Sequence, residues 1–147
     1  MILIDTNIIV CAHNADSPHY QRATQLMKDA LNLHFSSCIA HQNLLEFFSV
    51  ITNPRQVELS LSSEVAFSVI ELYLQSANIQ KISPSKDTLS KAIPKAKKQN
   101  LSKAEIFDGY LVATMQENNV STIYTENLSH FKKYPEVEAI NPFADLK

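Results

Sequence analysis

Three carboxylates in this sequence stand alone among apolar neighbours. Asp5 is the only Asp, Glu, Lys or Arg before Asp16, and it closes the apolar run at residues 1–4. Glu46 is the only charged residue between Asp29 and Arg55 and sits within Leu44-Leu45-Glu46-Phe47-Phe48. Asp108 is the only charged residue between Glu105 and Glu117, within Ile106-Phe107-Asp108-Gly109-Tyr110-Leu111. A carboxylate withdrawn from water must be protonated, paired or bound to a cation. One shared oxygen-ligand site for Mg²⁺ or Mn²⁺ accounts for all three at once. Thr125-Glu126-Asn127 adds hydroxyl, carboxylate and amide oxygens that suit the same kind of cation. Each acid also has an ordinary alternative. Asp5 can cap the following helix, with Thr6 or Asn7 sharing that work, and Glu46 can lie on an exposed stripe near Gln42 and Ser49. Asp108 can be a surface acid, Glu105 can favour a helix dipole, and Thr125-Glu126-Asn127 can be capping residues.

Other chemistries find less support. The single glycine, Gly109, excludes a glycine-rich phosphate loop. His13, His19, His34, His41 and His130 form no HExxH or other zinc spacing, and Cys11 and Cys38 form no CxxC. There is no GxSxG elbow. A receiver domain needs paired acids after its first strand, where Ile4 and Thr6 flank Asp5. A haloacid-type phosphatase needs Asp two residues after its nucleophile, where Asn7 stands.

The elements that must position these acids follow from periodicity. Short β-branched runs at residues 1–4, 35–39, 79–82, 121–124 and 137–140 predict strands. Helical spacing predicts helices over 6–13, 18–33, 40–52, 62–77, 86–99 and 104–118, with Ser17, Ser62 and Ser102 as N-caps. Helical connections favour parallel strands, so the fold class is α/β. In an open parallel sheet the ligand crevice lies beyond the carboxyl ends of the strands, which is where Asp5 and Thr125 fall. Asn53-Pro54 ends the third helix, and Pro94 is expected to kink or split the fifth. Residues 104–118 are apolar almost all round, which predicts a buried helix.

With 147 residues, 45% hydrophobic and 19% charged, the chain is expected to fold as one domain over residues 1–147. No signal segment or membrane span is visible, so the cytoplasm is the expected compartment and both cysteines are expected reduced and buried. A formal charge of −2 gives no global attraction to nucleic acid. Lys86, Lys91, Lys95, Lys97, Lys98 and Lys103 could meet a phosphate backbone or simply form a solvated face.

On these residues the chain resembles the PIN-domain family and, within it, the VapC-like toxins. The resemblance rests on Ile2-Leu3-Ile4-Asp5-Thr6-Asn7, on Glu46 followed by a hydrophobic run and Thr52-Asn53-Pro54, on Ile106-Phe107-Asp108 through Thr114, and on Ile123-Tyr124-Thr125-Glu126-Asn127 with Phe131. It implies a three-layer α/β/α fold with a central parallel sheet and endonucleolytic cleavage of RNA with Mg²⁺ or Mn²⁺. It further implies an antitoxin partner, a homodimer and no membrane association. Asp5, Glu46 and Asp108 would hold the metal and, with Asn127, make the catalytic set, while Thr6 and Glu126 would support them. Asn127 stands where the family often has Asp, which leaves open a second metal and whether Asn127 or Glu126 serves the fourth position. His130 also departs from a frequent acid and receives no role. The rival reading is a PIN-type module that binds RNA or protein without cutting.

Overall fold

The computed structural model describes residues 1–144. In chain order the elements are β1 (Ile2–Ile4), α1 (Thr6–His13), α2 (Tyr20–Leu31), β2 (Ser37–Ala40), α3 (His41–Ile51), α4 (Ser63–Gln75), β3 (Ile79–Ile82), α5 (Thr88–Lys98), α6 (Glu105–Glu117), β4 (Thr122–Tyr124), α7 (Leu128–Phe131) and β5 (Glu138–Ile140). The strands form one sheet in the order β3-β2-β1-β4-β5, and every neighbouring pair is parallel. This is the α/β class that the alternation of short apolar runs and helical segments predicts, in the three-layer α/β/α arrangement that the resemblance implies.

Strand residues point alternately to opposite faces of a sheet, and here both faces are covered. Ile4, Ile39 and Ile79 face a core shared with α1, α2, α3 and α4. Leu3, Cys38, Ala40, Ile82 and Ile123 face a second core with Leu111, Val112 and Met115 of α6 and Phe131 of α7. The chain leaves central β1 for β2 and β3 on one side, then returns to β4 on the other. The reversal opens a crevice between β1 and β4 at their carboxyl ends, and Asp5 and Thr125 lie in it.

Local chemistry sets most boundaries. Ser62 Oγ accepts from the Val65 N–H at 3.3 Å and caps α4 as the sequence predicts. Ser17 and Ser102 do not act as the predicted caps. Ser17 Oγ accepts from the His19 N–H within a turn, so α2 begins at Tyr20 rather than residue 18. Ser102 donates from both its N–H and its hydroxyl to Glu105 Oε2, leaving Ala104 at the cap position of α6. Pro94 lies inside α5 without dividing it. Nor is α6 buried on all sides, since Phe107 is 57% exposed while Leu111, Val112 and Met115 pack on the sheet. Cys11 and Cys38 are free, buried thiols, as expected.

Candidate active site

Asp5 ends β1 and is 8% exposed. Its carboxylate takes four hydrogen bonds. Oδ1 accepts from the Thr6 N–H at 2.7 Å and from Asn43 Nδ2 at 3.3 Å, and Oδ2 accepts from Thr125 Oγ at 2.6 Å and from Asn7 Nδ2 at 3.0 Å. The capping alternative and the site reading therefore describe the same residue, because Asp5 is the N-cap of α1 and also faces the crevice. Burial pushes its carboxyl up to about 6. The bonds from Thr125 and Thr6 oppose the rise, and the charges of Glu46 and Asp108 add to it.

Glu46 comes from the middle of α3 and is half-buried. Its Oε2 accepts from Thr6 Oγ at 3.0 Å and its Oε1 from Gln42 Nε2 at 2.8 Å. The same Gln42 amide donates to the Phe107 carbonyl at 3.1 Å, which ties α3 to the first turn of α6. Asp108, in that turn, lies 3.1 Å from His130 Nδ1 through its Oδ2. Burial raises the Asp108 carboxyl, the His130 charge lowers it, and the Glu46 charge raises it again. Asp5 therefore feels both other acids, and Asp108 feels Glu46, as three groups sharing one low-dielectric crevice should.

A cleft of about 330 Å³ is lined by Asp5, Glu46, Asp108, Glu126, Asn127 and His130. It continues into a groove of about 840 Å³ with which it shares Thr6, Glu46, Val50, Asp108 and His130. Asp5, Thr6, Glu46, Asp108, Glu126 and Asn127 thus line one cleft, but they do not contribute alike. The Glu126 carboxylate turns to Cys11 Sγ at 3.3 Å and His19 Nε2 at 3.5 Å. The Asn127 side chain, exposed at the rim, makes no hydrogen bond, although its N–H donates to Thr125 Oγ at 3.0 Å. Among the described residues, no three His, Cys, Asp or Glu side chains are already gathered closely enough to hold a metal ion. In kind, the donors fit a hard divalent cation: the three carboxylates offer oxygen ligands and their mutual repulsion is what such a charge offsets.

Sequence reasoning missed Asn43, which is fully buried. Its Oδ1 accepts from the Ala40 N–H at 3.2 Å, and its Nδ2 reaches both Asp5 and Thr6 Oγ, the latter at 3.1 Å. The available signal was an amide inside an apolar helix, one turn before Glu46. His130 was left without a role because it stands where the family often has an acid, yet it touches Asp108. Asn7 was weighed only as a cap. It bridges Asp5, Thr125 Oγ at 3.0 Å and the Glu126 N–H at 3.2 Å, fastening α1 to the loop after β4.

The family model described as PIN domain matches residues 2–137. Ribonuclease VapC24 of Mycobacterium tuberculosis is 21% identical over 134 residues, covering 91% of each chain. Among solved structures, Mycobacterium tuberculosis VapC20, described as a sarcin-ricin loop cleaving toxin, superposes with a TM-score of 0.66 at 16% identity, covering 94% of this chain and 99% of that one. VapBC2 from Rickettsia felis, bound to a DNA fragment from its promoter, gives a TM-score of 0.63 at 20% identity, covering 96% and 98%. At these identities the structural likeness speaks to the fold.

Proposed function

The chain belongs to the PIN domain family, and from that premise we propose that it is a Mg²⁺- or Mn²⁺-dependent endoribonuclease acting as the toxin of a toxin–antitoxin pair. The observation that carries the reading is the convergence of Asp5, Glu46 and Asp108 on one cleft at the carboxyl ends of the strands.

Asp5, Glu46 and Asp108 would hold the cation. When bound, it supplies charge relief at the phosphate and brings water within reach of deprotonation near neutral pH. The chain supplies the geometry. Thr125, Asn7 and Asn43 fix the orientation of Asp5, and the Thr6 hydroxyl and the Gln42 amide fix that of Glu46. Asn127 offers a neutral amide oxygen at the rim where a fourth ligand would stand, and Glu126 supports that loop while held by Cys11 and His19. The name Ribonuclease VapC24 supports an RNA substrate, and the likeness to a toxin-antitoxin complex from Klebsiella pneumoniae supports an antitoxin partner; a homodimer is part of the same proposal. No helix among the described residues is long and apolar enough to cross a membrane.

Purified chain should cut RNA in the presence of Mg²⁺ or Mn²⁺ and leave it intact in EDTA, with product length followed on a gel. RNA that is bound but never cut with either metal would replace this reading with the binding-only module. For the toxin role, expression without a partner should arrest growth, and Asp5→Asn should relieve the arrest at equal soluble expression. Arrest that persists in the variant would separate toxicity from cleavage.

A further inference from the structure

The 840 Å³ groove that continues from the carboxylate cleft has Lys103 and Phe107 in its lining. We propose that this groove takes single-stranded RNA, with Lys103 neutralising a phosphate and Phe107 stacking on a base beside the bond that is cut. The proposal rests on the ribonuclease reading and names the residues that grip its substrate.

Several observations meet at these two side chains. A chain with a formal charge of −2 needs a local cation to hold a polyanion. Several other basic groups are engaged: Lys91 with Glu117, Lys95 with Glu136, Lys133 with Glu105 and His130 with Asp108. Among the described residues Lys86, Lys97 and Lys98 make no ion pair, and neither they nor Arg55 line the groove. Lys103 lines it, is exposed and makes no ion pair with a described residue. It stands among the acids that need screening, Glu46, Glu105 and Asp108, with His130 the other cationic group facing the groove.

The backbone at Lys103 adds to the case. Its φ is +51°, a left-handed conformation that a non-glycine residue holds at some cost. Asn100 and Asn119, also left-handed, each lie within two residues after a helix end, where that geometry terminates helices. Lys103 instead precedes α6, so helix termination does not account for it. Phe107 exposes 57% of its surface immediately before Asp108, although an aromatic ring is costly to leave in water. An exposed aromatic face beside a lysine in one groove is the pairing by which proteins hold single strands.

The test measures binding of a labelled single-stranded RNA oligonucleotide across a salt series, in the full chain carrying Asp108→Asn to prevent cutting. In parallel, kcat and KM for cleavage are measured in the otherwise wild-type chain. Lys103→Gly removes the charge and suits the left-handed backbone. It should not lower the melting temperature, but it should weaken binding and reduce the slope of log affinity against log salt by about 0.7, the value of one single-strand phosphate contact. Phe107→Ala should weaken binding about tenfold with the slope unchanged, as loss of one stacked base does. Both should raise KM more than they lower kcat, and Lys98→Ala should match the parent. If wild-type chain cuts RNA while both groove variants bind and cut like their parents, the groove assignment falls and the nuclease reading stands. A Phe107→Ala effect on subunit association alone would overturn the stacking role and assign that ring to a protein contact. Absence of both cutting and binding in the wild type would remove the nuclease reading and this proposal with it.

Discussion

Asp108→Asn should lower the rate of RNA cleavage by at least ~100-fold, and Asp5→Asn should do the same, the scale on which a lost metal-site interaction is felt. The two substitutions reach that result differently. Asp108 accepts a single bond, from His130, on the side facing the cleft, so an amide there removes charge with little disturbance of the packing. Asp5 accepts four donors, and an Asn Nδ2 in place of Oδ2 would face the Asn7 Nδ2, a donor against a donor. Asp5→Asn therefore combines loss of a ligand with local rearrangement, and Asp108→Asn is the cleaner test. Cleavage rates at saturating Mn²⁺, with folding checked by near-ultraviolet circular dichroism, decide it. Full activity in Asp108→Asn, with contaminating nuclease excluded, would remove Asp108 from the metal site.

The second large effect is on stability. The Asp5 carboxyl rises from the ordinary 3.8 to about 6 in the folded chain. A raised carboxyl contributes stability at low pH, where folded and unfolded states both carry the proton. That contribution disappears as pH climbs from about 4 to about 6, because the unfolded chain releases its proton first. A displacement of this size corresponds to about 3 kcal/mol. Asp108 shifts in the same direction. Glu105 and Glu117, held near 2 by Lys133 and Lys91, work in the opposite sense, giving stability that is lost as pH falls below about 4.5. Both are only partly buried at the surface, so water screens much of their effect.

The metal-free chain should therefore be most stable on the acid side of neutrality. At neutral pH its melting temperature should rise when Mn²⁺ is added, by an amount equivalent to about 2.7 kcal/mol at a hundredfold excess over Kd. Asp108→Asn should melt above wild type in EDTA, because one repelling charge is gone, and should gain less from Mn²⁺. Melts of both proteins with and without metal provide the measurement. Equal Mn²⁺ shifts in the two would show that Asp108 is a structural acid and no ligand.

The sequence makes the three acids legible because each is solitary in an apolar run, and burial of such a group has few physical outcomes. The parallel sheet is legible for a similar reason: five short apolar runs separated by helical lengths leave little choice of topology. The hydrogen bonds that aim the acids are hidden. Asn43 and Thr6 meet across 37 positions, and Thr125 and Asp5 across 120, distances over which no local pattern speaks. Helix starts were misplaced where a serine had two uses. Ser17 and Ser102 have the composition of caps, but their polar groups serve a turn and a glutamate instead. Phe107 misled in another way, since its apolar side chain made α6 read as buried when part of that helix overhangs the groove.

The pairing of central β1 with β4 has a consequence for the chain while it is being made. Asp5 leaves the ribosome 120 positions before Thr125, which holds it at 2.6 Å. Until β4 has emerged, the middle of the sheet has one bare edge, and a contact so distant in sequence forms late because a long loop must close first. A nascent chain thus carries Asp5, Glu46 and Asp108 before it has the strand and loop that orient Asp5. Synthesis itself therefore delays the orientation of Asp5 until Thr125 and its loop have emerged, so the cleft is completed only after all three of its acids have been made.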